Sequence, residues 1–204
     1  MTRDGPTDEH PLPDATAIAH AVRTGTRSAG QLCRQSLTAA QKADGVFWTV
    51  DPAALQAARD IDRRAAHGHP LGPLAGVPIA VKDSFDIAGL DTTLGLRTPV
   101  HRAEKDAEVV ARLRAADAVI IGKTSMDQLG WSMTGQTPGR PPCPNPTAPN
   151  TLPGGSSAGS AAAVAPRKVP PAVRGGTAGS VRGPAGPIYT NPSPRDTLQT
   201  RGGG

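Results

Sequence analysis

Lys82 closes the apolar run "VPIAVKD". A lysine amine at the end of an apolar strand is partly stripped of water, which disfavours its charged form and lets it act as a base. The shift required is large, because an ordinary lysine, pKa about 10.4, is neutral only about once in 10³ to 10⁴ molecules at pH 7. The plainer reading of the same residue is an exposed strand-end lysine paired with Asp83.

Two serine-bearing turns follow downstream. In "PGGSSAGSAAAV", Gly154 and Gly155 permit backbone geometries closed to other residues, and Ser156 or Ser157 can open an alanine-rich helix. Such a helix start offers free N–H groups to an anion or a developing oxyanion, and it equally well describes a structural cap. In "GGTAGSVRGPAG", Ser180 lies in a glycine-rich turn whose successive N–H groups could form an anion-binding nest. A flexible basic linker fits those residues too.

The elements that must hold these residues change character along the chain. Asp14 can cap a helix with Ile18, Ala19 and Val22 on its apolar side, and Ser28 another with Leu32, Cys33, Leu37 and Ala40. A third helix is expected from Pro52 to Ala66 around Leu55, Ala58 and Ile61, so the first third reads as a helical layer. Val77, Ile79 and Val81 then alternate as a short strand. "DAEVVARLRAADAVIIGKT" reads as a helix with Val109, Val110, Leu113 and Ala116 inward, followed by a strand from Ala118 to Ile121. Strand, helix, strand in that order predicts a parallel α/β unit with a covered sheet.

Composition limits the core. Val, Leu, Ile and Phe together supply 35 of 204 residues, with only five aromatic side chains. The net charge of +5 lies wholly beyond residue 150, since the first 150 residues hold 16 basic and 16 acidic side chains. From Gln136 onward, 12 Gly and 14 Pro in 69 residues predict loops and disorder, Ser156 to Ala165 excepted. Cys33 and Cys143 form no CxxC pattern, which favours a reduced, cytoplasmic chain. The polar start "MTRDGPTDEHPLPD" and the absence of a long apolar run argue against export and against a membrane partner. His67 and His69 have no further metal ligand nearby in the sequence and read as solvated. The few arginine–glycine steps of the tail lack aromatic interleaving, which argues against nucleic-acid binding.

Taken in order, "GPLAGVPIAVKDSFDIAGLDTT", "DAEVVARLRAADAVIIGKTSMDQLGW", "NPTAPNTLPGGSSAGSAAAVA" and "TAGSVRGPAG" resemble the amidase signature family of amide hydrolases and amidotransferase A subunits. The opening helices in "TAIAHAVRTGTRSAGQLCRQSL" are similar as well. The resemblance implies an α/β fold: the N-terminal part of an amidase-signature domain, with a helical layer and a mixed sheet covered by helices. It would occupy residues 14–186, between a disordered polar leader over 1–13 and a disordered tail over 187–204. It implies Lys82 as base, Ser156 as the serine held in a cis peptide, and Ser180 as nucleophile. The backbone N–H groups of Thr177, Ala178, Gly179 and Ser180 would form the oxyanion hole. The implied substrate is a small-molecule linear amide cleaved through an acyl-enzyme, with no cofactor and no metal, and Ser157 would be the helix-starting neighbour of the proton shuttle.

Departures from the family pattern set further expectations. Arg174, Gly175 and Gly176 stand where the family has a glycine, a small polar residue and an aspartate. The familiar pattern stops near Gly186, which suggests a chain shortened after the nucleophile region by truncation or frameshift. The competing expectation is a non-catalytic remnant or a basic RNA- or partner-binding protein.

Overall fold

A computed structural model describes residues 11–175 and Ser180. Helix α1 (Ala15–Arg23) starts at Asp14, whose Oδ1 accepts the Ala17 N–H at 2.8 Å, and it buries Ile18, Ala19 and Val22. Helix α2 (Ala29–Gln41) starts at Ser28, whose Oγ accepts the Gln31 N–H at 3.3 Å. Leu32, Cys33 and Ala40 are buried on it and Leu37 half-buried, as the spacing predicts. Asp62 of α3 (Ala54–Ala66) accepts the Ala29 and Gly30 N–H groups at 2.7 and 2.9 Å. One carboxylate thus satisfies two free donors of the α2 terminus and ties the helices together.

The expected all-helical first third is interrupted by strand β1 (Phe47–Val50). Four residues between a turn and a helix are too few to display a period in the sequence, and β1 is made by pairing: it runs antiparallel to β5 (Val119–Thr124). Strand β2 (Pro78–Lys82) lies parallel to β5 on one side and to β6 (Ala172–Val173) on the other, giving the order β1-β5-β2-β6. The sheet is therefore mixed, with the expected β2–helix–β5 unit at its centre. All five residues of β2 and all six of β5 are buried, as befits parallel strands covered on both faces. A small antiparallel pair, β3 (Asp91–Thr92) with β4 (His101–Arg102), forms between β2 and α4 (Glu108–Ala115).

Three expectations need correction. Helix α4 buries only Val110 fully; Leu113 is half-buried and packs against the core, Ala116 is half-buried just past the helix, and Val109, expected inward, stands 36 % exposed. Leu12, assigned to the leader, is 1 % exposed in the core, and its N–H donates to Arg167 O at 3.3 Å. The Pro/Gly-rich stretch after Gln136 is organised up to residue 175. Asn145 is buried with Oδ1 accepting from Thr147 and Ala148 and Nδ2 donating to Thr151 and Leu152, and Thr137 donates to Met126 O at 2.8 Å. Polar side chains there take the place of a regular ladder in satisfying the loop backbone. Residues 1–10, 176–179 and 181–204 lie outside the described residues, as therefore does the expected tail.

Candidate active site

The site is built where the C-terminal ends of β2 and β5 meet helix α5 (Ala158–Val164). Alternation along a strand sends neighbouring side chains to opposite faces. Lys82 pairs with Thr124 in the ladder and shares its face, the one covered by α5. Thr124 Oγ1 and Ser160 Oγ lie 2.8 Å apart, and Ser160 Oγ donates to Val173 O at 3.2 Å, so α5 is pinned to both β5 and β6. Gly159 lets α5 come this close: a Cβ there would run into the Ser125 backbone and Val46 O.

Lys82 is 3 % exposed, which rules out the exposed strand-end reading. Its Nζ lies 2.9 Å from Ser156 Oγ, 2.9 Å from Ser157 Oγ and 3.0 Å from Gly175 O. Nor is it paired with Asp83. That carboxylate faces the other side of the sheet, where Oδ1 meets Lys123 Nζ at 2.8 Å and Oδ2 accepts from the Thr93 N–H and hydroxyl. Lys123 also donates to Asp91 O at 3.0 Å and Thr92 Oγ1 at 2.6 Å.

Burial pushes the Lys82 amine down from 10.5 to about 8, while the negative charge of Asp127 acts in the opposite direction. At that value roughly one molecule in ten carries a neutral amine at pH 7, against about one in 10³ to 10⁴ for an ordinary lysine.

The three neighbours of a neutral amine, which has two N–H donors and one lone pair, are not equivalent. Gly175 O can only accept. Ser157 directs its own O–H at Gly175 O, 3.3 Å away, and so presents its oxygen to Lys82 as an acceptor. The lone pair is left for the Ser156 O–H. Of the two adjacent hydroxyls, Ser156 is thus the one placed to pass a proton to Lys82. Ser157 occupies the N-cap position just before α5, but its hydroxyl makes no cap bond and turns to Lys82 instead.

The turn carrying Ser156 has a left-handed Gly154 (φ +74°) and a cis Gly155–Ser156 peptide bond. Gly155 is required for space, since a Cβ there would strike Asp127 Oδ2. Ser180 is buried, and its carbonyl accepts the Ser157 N–H at 3.3 Å, which places Ser180 beside the turn that carries Ser156 and Ser157. Thr177, Ala178 and Gly179, the remaining expected oxyanion donors, lie outside the described residues.

The sequence reading missed the Asp83–Lys123 pair, the acceptor role of Ser157 and buried Asp127. Lys123 lies one residue before the end of an apolar strand as Lys82 lies at the end of another, a signal that could have found it. Asp127 carries no local signal, because its importance comes from the chain crossing beneath Ser156. His67 and His69 are exposed, with ring centroids 6.3 Å apart and His67 Nδ1 at 2.7 Å from Arg63 O.

Comparisons with known proteins identify the family. The chain is 40 % identical over 175 residues to the A subunit of the glutamyl-tRNA(Gln) amidotransferase of Salinispora tropica, covering 83 % of this chain and 36 % of that protein. The native peptide amidase of Stenotrophomonas maltophilia superposes with a TM-score of 0.71 at 28 % identity, over 80 % of this chain and 36 % of the other. A bacterial aryl acylamidase of the amidase signature family gives 0.74 at 27 % identity, over 86 % and 38 %. The chain spans little more than a third of the length of these relatives. The family model described as Amidase matches residues 28–187, the stretch that holds Lys82, Ser156 and Ser180, and the chain belongs to the amidase signature family.

Proposed function

We propose that this chain supplies the proton relay and nucleophile of a hydrolase that cleaves a linear carbon–nitrogen amide bond of a small molecule. Neutral Lys82 takes the proton of Ser156 Oγ, and Ser156 takes that of Ser180 Oγ. Ser180 then attacks the amide carbonyl and forms a tetrahedral oxyanion. Collapse breaks the C–N bond as the proton returns through Ser156 to the leaving amine. The acyl-enzyme is hydrolysed by water through the same path, which restores Ser180. The backbone N–H groups of Thr177, Ala178, Gly179 and Ser180 serve as oxyanion donors, each worth about 10²- to 10³-fold in rate. No step calls for a cofactor.

The observation that carries this reading is a buried lysine whose amine meets two serine hydroxyls and a carbonyl. Placement in the cytoplasm is part of the proposal. It is supported by two free, buried cysteines, whose thiols burial pushes up to about 12 (Cys33) and about 11 (Cys143), leaving them protonated and unreactive.

A serine-directed fluorophosphonate is expected to label the wild-type protein and to miss both Ser180→Ala and Lys82→Ala, with adduct mass on the Ser180 peptide. Equal labelling of wild type and Ser180→Ala would remove Ser180 from the role. A folded wild-type protein that takes no label would leave a non-catalytic member of the family.

A further inference from the structure

Asp127 follows β5 and is fully buried, yet neither of its carboxylate oxygens has a hydrogen-bond partner among the described residues. An isolated buried carboxylate is costly unless an opposite charge lies close. Its surroundings are specific. The Asp127 N–H donates to Ser156 O at 3.1 Å, its own carbonyl accepts the Gly130 N–H at 2.9 Å, and Oδ2 packs against Gly155 where any side chain would collide with it. The residue therefore touches both sides of the Gly155–Ser156 bond.

We infer that Asp127 is a positioning residue for the Lys82–Ser156 pair: its backbone holds the Ser156 carbonyl, and its carboxylate is the counter-charge for the ammonium formed when Lys82 takes up the Ser156 proton. This rests on Lys82 acting as the base proposed above. In that step the Ser156 O–H bond breaks, an N–H bond forms on Lys82, and Ser156 regains a proton from Ser180. The positive charge appears on a side chain that is itself buried. Asp127 is fixed before the proton moves, so no reorganisation is needed to stabilise the charge.

The charged groups around Lys82 leave this part to Asp127. Asp83 and Lys123 neutralise one another across the sheet. Among the described residues, the hydrogen-bond contacts of the Lys82 amine are the hydroxyls of Ser156 and Ser157 before α5 and Gly175 O after β6, none of them charged. Asp127 is also the charge that opposes the effect of burial on the Lys82 amine.

The test is an NMR titration of the lysine side-chain Cε–Hε resonances, which needs no turnover. The chain has five lysines, and Lys82 is assigned by its absence in Lys82→Met. The wild-type midpoint is expected near 8, falling by about one unit in Asp127→Asn. Asp127→Ser, also neutral and smaller beside Gly155, is expected to give the same direction. A wild-type midpoint at the ordinary 10.5 would sink the base assignment itself, and this inference with it. A midpoint near 8 that stays put in folded Asp127→Asn or Asp127→Ser overturns the role of Asp127 alone. Failure of both neutral variants to fold would make Asp127 a structural residue and also overturn it.

Discussion

Lys82 and Lys123 are near neighbours across the β2–β5 ladder, both at the end of an apolar strand and both buried, yet they sit on opposite faces of one sheet in opposite chemical settings. On the face away from α5, Lys123 meets the Asp83 carboxylate, a hydroxyl and a carbonyl. On the α5 face, Lys82 meets two hydroxyls and a carbonyl, with no carboxylate in hydrogen-bond contact among the described residues. The first setting pairs the amine with an opposite charge, and the second, by burial, disfavours the ammonium of Lys82. Strand alternation decides which lysine gets which setting, and it separates Lys82 from Asp83 although they are adjacent in sequence.

The strongest way to break this comparison is to remove each amine in turn. Lys123→Met strands a carboxylate that is 2 % exposed, and is expected to destabilise the fold by about 3–5 kcal/mol. Lys82→Met removes an amine that burial already disfavours, and should cost far less at pH 7 or even stabilise. Urea denaturation of the two variants checks this, and equal losses would erase the distinction. Adding Asp83→Asn to Lys123→Met should recover part of the loss, because the stranded charge is then gone.

A second effect, of up to about 3 kcal/mol, appears with pH. Lys82 is held at about 8 in the folded chain against 10.5 unfolded. Below about pH 8 both states are protonated and the penalty for burying the ammonium is fully present. Between about 8 and 10.5 the unfolded state binds more protons, so stability rises with pH. The buried thiols of Cys33 and Cys143, pushed up from 9.0, act with the opposite sign above about pH 9. The informative quantity is therefore the stability of wild type minus that of Lys82→Met as pH rises from 7 to 10. That difference should climb, and a flat curve would mean that Lys82 titrates as an ordinary lysine.

What could be read from the sequence follows the same division between local and long-range causes. Helices α1 and α2 were legible because their caps and apolar spacing lie within a dozen residues of one another. The β2–α4–β5 unit was legible because strand alternation and short connections are local as well. Strand β1 was not, since Phe47–Val50 becomes a strand only by pairing with residues more than 70 positions away. Lys82, Ser156 and Ser180 were picked out by residue type and order. Asp127 and the acceptor role of Ser157 come from which backbone passes beneath which side chain, as in the Asp127 N–H bond to Ser156 O and the Ser157 O–H bond to Gly175 O. No spacing in the chain encodes those crossings.

The smallest expected effect sharpens the comparison most narrowly. Ser157 Oγ accepts from Lys82 and donates to Gly175 O, and both bonds are lost in Ser157→Ala. The stability cost should be about 1 kcal/mol, typical of a buried hydroxyl. Ser36→Ala, which removes a buried hydroxyl donating to Lys168 O at 3.1 Å, should cost about the same. The two variants separate in the Lys82 titration. A bond to an ammonium is stronger than one to a neutral amine, so losing the Ser157 acceptor disfavours the charged form and moves the midpoint below that of wild type. Ser36→Ala should leave that midpoint unchanged. If Ser157→Ala also leaves it unchanged, Ser157 does not orient the amine, and the lone pair of Lys82 is no longer reserved for Ser156.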